Sequence, residues 1–303
     1  MQSKEIISRW KVSFRELRKG KEKQKNDLVQ ESGISWSTIN KVLPDLVSVG
    51  ALKESQGNKL VINPEYEYFA GIYISQNIVE LSMIDFSGKE KLFRTKVFSD
   101  QQTYVDALIE ILKINHIKNI KAVSICADDY FGYMGAEVFY LPTNSNQMKG
   151  LFVPEWQELY FAKTCETNAL KWYEETGNSE LNVIFSFSED KTYYTIMKNG
   201  FIIQNRRYCE SIKNVKNFYT DVILPVWKAI NPSNMVFVAS SEEILNIINE
   251  NIEEWQKHIG IHQLIINKEF ELREPTKLIA TEYSRPSESA ALYALYSYYG
   301  WIN

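Results

Sequence analysis

Between Asn26 and Val49 the chain reads NDLVQESGISWSTINKVLPDLVSV, two short apolar-periodic segments separated by a glycine. Leu28 and Val29 mark the inward face of the first segment. Ile34, Ile39, Val42, Leu43 and Leu46 recur at helical spacing along the second, and Gly33 supplies the tight turn between them. The pattern predicts helix, turn, helix. The period then shortens: after Gly50, the stretches Ala51-Leu52-Lys53 and Lys59-Leu60-Val61-Ile62 flank turn residues Gln56-Gly57-Asn58 and predict a two-strand hairpin. Residues 1–62 are therefore expected to form a winged helix-turn-helix. Pro44 removes one backbone donor from the second helix and favours a kink after its first two turns.

Once the inward positions are assigned, Ser35, Trp36, Ser37, Thr38, Asn40 and Lys41 remain on the outer side at the start of the second helix. Short hydroxyls, an amide and a cation there suit base edges and phosphates when a helix N-terminus enters a major groove. Charge sharpens this expectation. Residues 1–62 carry 12 Lys and Arg against 7 Asp and Glu, which leaves 22 against 31 for the rest of the chain. A basic head on an acidic body places any nucleic-acid footprint on the head. Double-stranded DNA is the expected partner, with Lys25, Lys53, Asn58 and Lys59 completing the contact set. The basic run from Arg15 to Lys25 reads as a solvated loop between helices and as phosphate contact, two compatible roles. The alternative for the head is a three-helix subdomain that packs on its neighbour or docks a protein.

Residues 63–68, Asn63-Pro64-Glu65-Tyr66-Glu67-Tyr68, form a polar connector. Strand patterns follow at Phe69–Ile74, Val79–Phe86 and Glu90–Phe98, the last two joined by a turn at Ser87-Gly88-Lys89. An amphipathic helix is expected over Tyr104–Asn115 and an apolar strand over Ile120–Cys126. The order β-β-β-α-β is that of the first half of an actin-like ATPase lobe. The chain's 303 residues, 45% hydrophobic and 13% aromatic, suffice for such a body beside a small head. No apolar run approaches the roughly 18 residues of a membrane span, and the N-terminus is charged, so a cytoplasmic protein with no membrane partner is expected. Cys126, Cys165 and Cys209 are widely separated and are read as buried thiols. His258 and His262 stand four apart, but Gly260 lies between them and no third ligand is placed, so no metal site is expected.

Several segments together resemble the ROK family of repressors, open reading frames and sugar kinases, whose repressors carry an N-terminal winged helix. The resemblance spans nearly the whole chain. After the predicted head, Phe69-Ala70-Gly71-Ile72-Tyr73-Ile74 and Leu81-Ser82-Met83-Ile84-Asp85-Phe86-Ser87-Gly88 match the family's opening strands. Glu166-Thr167-Asn168-Ala169 is similar to its E-N-D-A-N-A segment. Asn199-Gly200 sits at its second-lobe hairpin, Asn231–Val238 at its N-P-x-x-I-V-I-G-G strand, and Glu288–Ala294 at its closing G-A-A-x-x-A helix. The resemblance implies an α/β chain: a winged helix-turn-helix followed by a two-lobed, sugar-kinase-like actin-like ATPase body. The implied lobes are 69–185, to which a closing helix at 287–300 would return, and 186–303.

The departures from the family's pattern bear on activity. Where family kinases have D-x-G-G-T, this chain has Tyr73-Ile74-Ser75-Gln76-Asn77. Their second phosphate loop, G-T-G-x-G-x-G, falls at Ser188–Tyr194, where the glycines are gone and Glu189 and Asp190 would repel phosphate. The strand glycines have become Ala239-Ser240-Ser241. Glu166 replaces the catalytic Asp, and its longer side chain displaces the carboxylate by about an ångström, a costly error in positioning. The zinc motif C-x-C-G-x-x-G-C is absent; only Cys209 lies between Phe201 and Tyr219, and packing by Tyr208, Phe218 and Tyr219 is expected to replace the metal. No catalysis, cofactor or metal is expected.

By resemblance, sugar recognition would fall at Asn144 or Asn146, Glu166, Asn168 and Glu210, with Lys213 or Asn214 at the family's His position. Two readings stand: these groups bind a sugar-like effector, or the body is a dimerisation scaffold. Trp156 and Trp172 fit either sugar stacking or the core. The expected function is that of a transcriptional regulator, a repressor of carbohydrate-related genes acting as a homodimer. The aromatic segment Ala290–Trp301 would contribute to the dimer or pack inside the second lobe. The alternatives are a protein-interaction module and, more remotely, a sugar kinase.

Overall fold

The computed structural model describes residues 3–57, 59–75, 78–97, 107, 110–111, 120–127, 158–187, 192–208, 211–267, 274–281 and 285–302. Helices α1 (Ser3–Arg9), α2 (Lys11–Arg18), α3 (Lys25–Ser32) and α4 (Trp36–Ser48) open the chain, followed by the hairpin β1 (Leu52–Ser55) and β2 (Lys59–Ile62). The hairpin is antiparallel, with Leu52 opposite Ile62. Ile39, Val42, Leu43 and Leu46 are the buried face of α4, as their spacing requires. Ile34 lies in the turn before α4 and is only half-buried. Helix α4 continues through Pro44, which is solvent-exposed.

The basic run Arg15–Lys25 is a loop only in part, which corrects the reading from sequence. Arg15–Arg18 complete α2, because Phe14 and Leu17 bury one side of that helix and draw it against the core. Lys23 then exchanges backbone hydrogen bonds with Leu60, at 3.1 and 2.8 Å, and adds a bridge to the hairpin's edge. The polar connector is likewise anchored. Asn63 Nδ2 donates to the Gly50 carbonyl at 2.7 Å, the Phe86 N–H donates to the Pro64 carbonyl at 3.0 Å, and Glu67 is buried. A free linker would leave these polar groups to water; here each has a protein partner.

The first body sheet has the order β5-β4-β3-β6-β7, built from β3 (Tyr68–Ile74), β4 (Ile78–Asp85), β5 (Glu90–Val97), β6 (Ile120–Ala127) and β7 (Glu158–Lys163). The pairs β3–β4 and β4–β5 are antiparallel, whereas β3–β6 is parallel. Of the helix expected over Tyr104–Asn115, the described residues Ala107, Glu110 and Ile111 are helical. Helix α5 (Thr164–Thr176) leads to the second sheet, ordered β10-β9-β8-β11-β12. Its strands are β8 (Asn182–Phe187), β9 (Thr192–Lys198), β10 (Phe201–Tyr208), β11 (Asn234–Val238) and β12 (Lys277–Thr281). Between β10 and β11, α6 (Val215–Phe218) and α7 (Leu224–Ile230) are joined by a π-helical turn at Tyr219–Ile223. The long helix α8 (Glu242–Asn267) precedes β12, and α9 (Pro286–Tyr298) closes the chain.

Compactness divides the chain into Met1–Ala162 with Ala290–Asn303, and Lys163–Ser289. This partition differs from the lobes drawn on sequence at 185/186, because α5 packs on β8, β9 and β10. In the second unit Phe185 stacks on Phe237 with centroids 5.0 Å apart, and Phe218 and Trp255 close around them. Phe218 thus packs as expected, and Trp172 is a core residue. Tyr208's side chain and Trp156 lie outside the described residues.

The aromatic C-terminal segment is buried inside the first unit rather than in the second lobe. Tyr296, Tyr299 and Trp301 are each at most 2% exposed. Trp301 Nε1 donates to the Ser8 carbonyl at 3.0 Å, and Lys11 Nζ donates to the Trp301 carbonyl at 2.7 Å. Phe14 of α2 meets both Phe86 and Trp301, while the Arg18 guanidinium lies about 5 Å from the Tyr296 and Trp301 rings. Terminal helices and sheet therefore share one aromatic core. At its edge the Tyr299 hydroxyl donates to the Glu67 carboxylate, and burial pushes the Glu67 carboxyl up to about 7.

Candidate functional site

The outward end of α4 is organised by its cap. Gly33 closes α3 in the left-handed conformation at φ 66°, a turn that an L side chain adopts only with strain. Ser35 then caps α4: its hydroxyl accepts from the Thr38 N–H at 3.3 Å and lies 3.0 Å from Ser37 Oγ and 2.9 Å from Thr38 Oγ1. The three hydroxyls form one local network. Trp36, Asn40 and Lys41 are exposed beside it in the first turns of α4.

Charges around this surface are partly neutralised within the head. Lys59 pairs with Glu22 at 2.9 Å, and that contact holds the Glu22 carboxyl below its ordinary range. Lys23 pairs with Glu31, and Lys21 with Glu16. Lys25, Lys41 and Lys53 make no ion pair among the described residues. The positive surface is consequently narrower than the residue count suggests. Asn58, expected at the hairpin turn, lies outside the described residues.

A polar cluster occupies the second unit at the start of α5. Glu166 stands in the helix's first turn, where one carboxylate oxygen accepts from the Lys163 N–H at 2.9 Å and the other from Asn205 Nδ2 at 2.5 Å. Asn205 Oδ1 in turn accepts from Thr195 Oγ1 at 2.8 Å. Two residues beyond Glu166, Asn168 Nδ2 donates to Ser186 Oγ at 3.1 Å. Asn168 Oδ1 and Thr164 Oγ1 are buried with no hydrogen-bond partner among the described residues. Nothing in the sequence pattern marked Ser186, Thr195 or Asn205, since each lies in a strand whose spacing does not reveal which of its residues face α5. Asn144, Asn146 and Glu210 lie outside the described residues, and so does Cys209. Cys126 and Cys165 are buried, and burial pushes the Cys165 thiol up to about 11, which leaves it a neutral thiol.

The remaining positions are local. Tyr73 and Ile74 end β3, and the Ser75 N–H donates to the Ile78 carbonyl at 2.9 Å; Gln76 and Asn77 lie outside the described residues. Residues 188–191 do as well, while Thr192, Tyr193 and Tyr194 are buried in β9. Ser241 Oγ accepts from the Ile244 N–H at 3.3 Å at the start of α8. His258 and His262 sit on α8, which continues past Gly260, and face Tyr219 and Trp227 with centroids 5.2 and 6.3 Å away. Among the described residues no group of three or more His, Cys, Asp or Glu is placed to hold a metal. None of the described helices is long and apolar enough to cross a membrane.

No family model and no curated protein matches this sequence. Its structure is similar to that of a ROK family transcriptional regulator, a homologue of the E. coli MLC protein, with a TM-score of 0.64 at 11% identity. That match covers 97% of each chain. The fold is a ROK fold. A ROK family protein from Streptococcus pneumoniae TIGR4, solved in complex with sucrose, is similar at TM-score 0.51 and 8% identity over 76% of this chain and 98% of its own. A ROK family glucokinase from Streptomyces griseus, in complex with glucose and AMPPNP, gives 0.50 and 12% over 75% and 99%. ROK proteins that are regulators and ROK proteins that are kinases thus both share this architecture, and it alone does not assign an activity.

Proposed function

We propose that the chain is a DNA-binding transcriptional regulator whose α1–α4 and β1–β2 head is a winged helix-turn-helix and whose ROK-fold body no longer phosphorylates sugars. One observation carries the reading. The regulator's likeness extends over 97% of this chain, whereas the sucrose-bound ROK protein and the glucokinase, each matched almost entirely, account for about three quarters. The difference is about the size of the head. Within the head, α4 offers Trp36, Asn40 and Lys41 at its open end, and Lys25 and Lys53, which make no ion pair among the described residues, are cations for phosphate.

The loss of kinase chemistry rests on residues. Side chains at Ser75-Gln76-Asn77 and carboxylates at Glu189-Asp190 stand where the family's loops need glycine backbone against phosphate. Glu166 is also engaged as the capping group of α5, so a substrate hydroxyl would compete with two hydrogen bonds already made. The buried Asn168 Oδ1 and Thr164 Oγ1 retain hydrogen-bonding capacity of the kind a polyol hydroxyl takes, which favours a sugar-like effector over a bare scaffold. In this reading the protein is a cytoplasmic homodimer that represses carbohydrate-related genes. Sequencing of genomic fragments retained by the purified full chain tests it: discrete enriched sites near such genes are expected, and uniform recovery would overturn the reading.

A further inference from the structure

The head leaves one large ring in solvent. Trp36 is 46% exposed at the first position of α4, although the other described tryptophans, Trp10, Trp172, Trp227, Trp255 and Trp301, are all buried. Neither the Trp36 ring nor the Asn40 side chain has a hydrogen-bond or ring partner among the described residues, and at i and i+4 they are neighbours on one helix face. The hydroxyls of Ser35, Ser37 and Thr38 are joined in the cap, so the groups most free to read a ligand are an indole and an amide. Lys41 follows Asn40 in the same helix, and Lys25 and Lys53 are further cations of the head with no ion pair among the described residues. That pairing of an apolar ring with unneutralised positive charge fits a polyanion whose interior carries methyl groups, rather than an apolar protein surface.

We infer that Trp36 reads thymine 5-methyl groups in the DNA major groove, beside an adenine held by Asn40, so that A·T pairs at these positions specify the half-site. The inference rests on the DNA-binding reading above. In the major groove thymine presents O4 and a methyl group, and adenine presents N7 and N6–H₂, which an Asn side chain matches with both of its polar atoms. An indole makes no base-specific choice through its single donor, but its ring surface rewards contact with a methyl that cytosine and uracil lack.

The test begins by selecting tight duplexes from a randomised library with the full chain. Each thymine in the selected site is then replaced by deoxyuridine, which removes one methyl and leaves base pairing intact. For the wild-type chain, at least one replacement per half-site should weaken binding about four-fold, the factor that burial of one methyl carries. Trp36→Ala should bind more weakly and lose that sensitivity, while Trp36→Phe should keep it; both should remain folded at the temperature of the binding assay, since nearly half of Trp36 is exposed. The inference is overturned if every deoxyuridine duplex binds as the parent does, or if Trp36→Ala stays equally sensitive. Failure to enrich any duplex would instead remove the DNA-binding reading itself, and this inference with it.

Discussion

Glu67 is the residue whose environment most changes its chemistry. Its carboxyl, ordinarily near 4.5, is raised to about 7 by burial, against the opposing pull of the Tyr299 hydrogen bond and of Lys121 and Lys4. The folded state therefore holds a proton there that the unfolded chain has released between pH 4.5 and 7. Stability from this group is greatest below the unfolded value and falls as pH rises through about 7, by on the order of 3 kcal/mol in full. Glu67→Gln should flatten that fall, so the gain in unfolding temperature over wild type should grow from pH 5 to pH 8; a constant difference would place the titration elsewhere. Gly200 permits a second test. Its φ is +74°, and a Cβ there would sit 2.5 Å from the buried Tyr173 ring. Gly200→Ala should lower stability by roughly 2 to 4 kcal/mol in urea unfolding, and a loss below about 0.5 would contradict the packing. The Asn199-Gly200 turn was legible in sequence because its chemistry is local. Glu67 was not, since Tyr299 lies at the other end of the chain.

At the scale of elements, periodicity revealed what a short window can hold. The buried face of α4, the two strands of the hairpin and the β3–β4–β5 meander all follow from spacing alone. What escaped were elements fixed by distant partners: the end of α2, where Arg18 inserts beside Tyr296 and Trp301, and α5, whose Glu166 is tied to Asn205 across the second sheet. A charged residue in a polar run carries no local sign that aromatic rings will cover it. Within α4, Ser35→Ala should cost about 1 kcal/mol through loss of the cap. Pro44→Ala should stabilise the same helix by about 1 kcal/mol or more, because the exposed ring adds no burial and withholds a backbone donor. Thermal melts of the two variants moving in the same direction would contradict this account of the helix.

At the scale of the molecule, the head is joined to the first sheet by a shared aromatic core rather than by a flexible tether. Phe14, Phe86, Tyr299 and Trp301 form that joint, so body and head within this unit should unfold together. A homodimer built on the body would then present two fixed reading heads to half-sites spaced by whole turns of DNA, roughly 34 Å each. Resemblance supplied the two-sheet fold of the body where local pattern could not, because the order of strands in a sheet is set by contacts far apart in the chain. The most direct measurement is equilibrium binding of the full chain to a selected duplex across a range of salt. Affinity should fall steeply with salt, and Lys41→Ala and Lys53→Ala should each lower the logarithmic slope by about 0.9 while weakening all sequences alike. Binding that is indifferent to salt, or slopes unchanged in both variants, would contradict DNA recognition by this head.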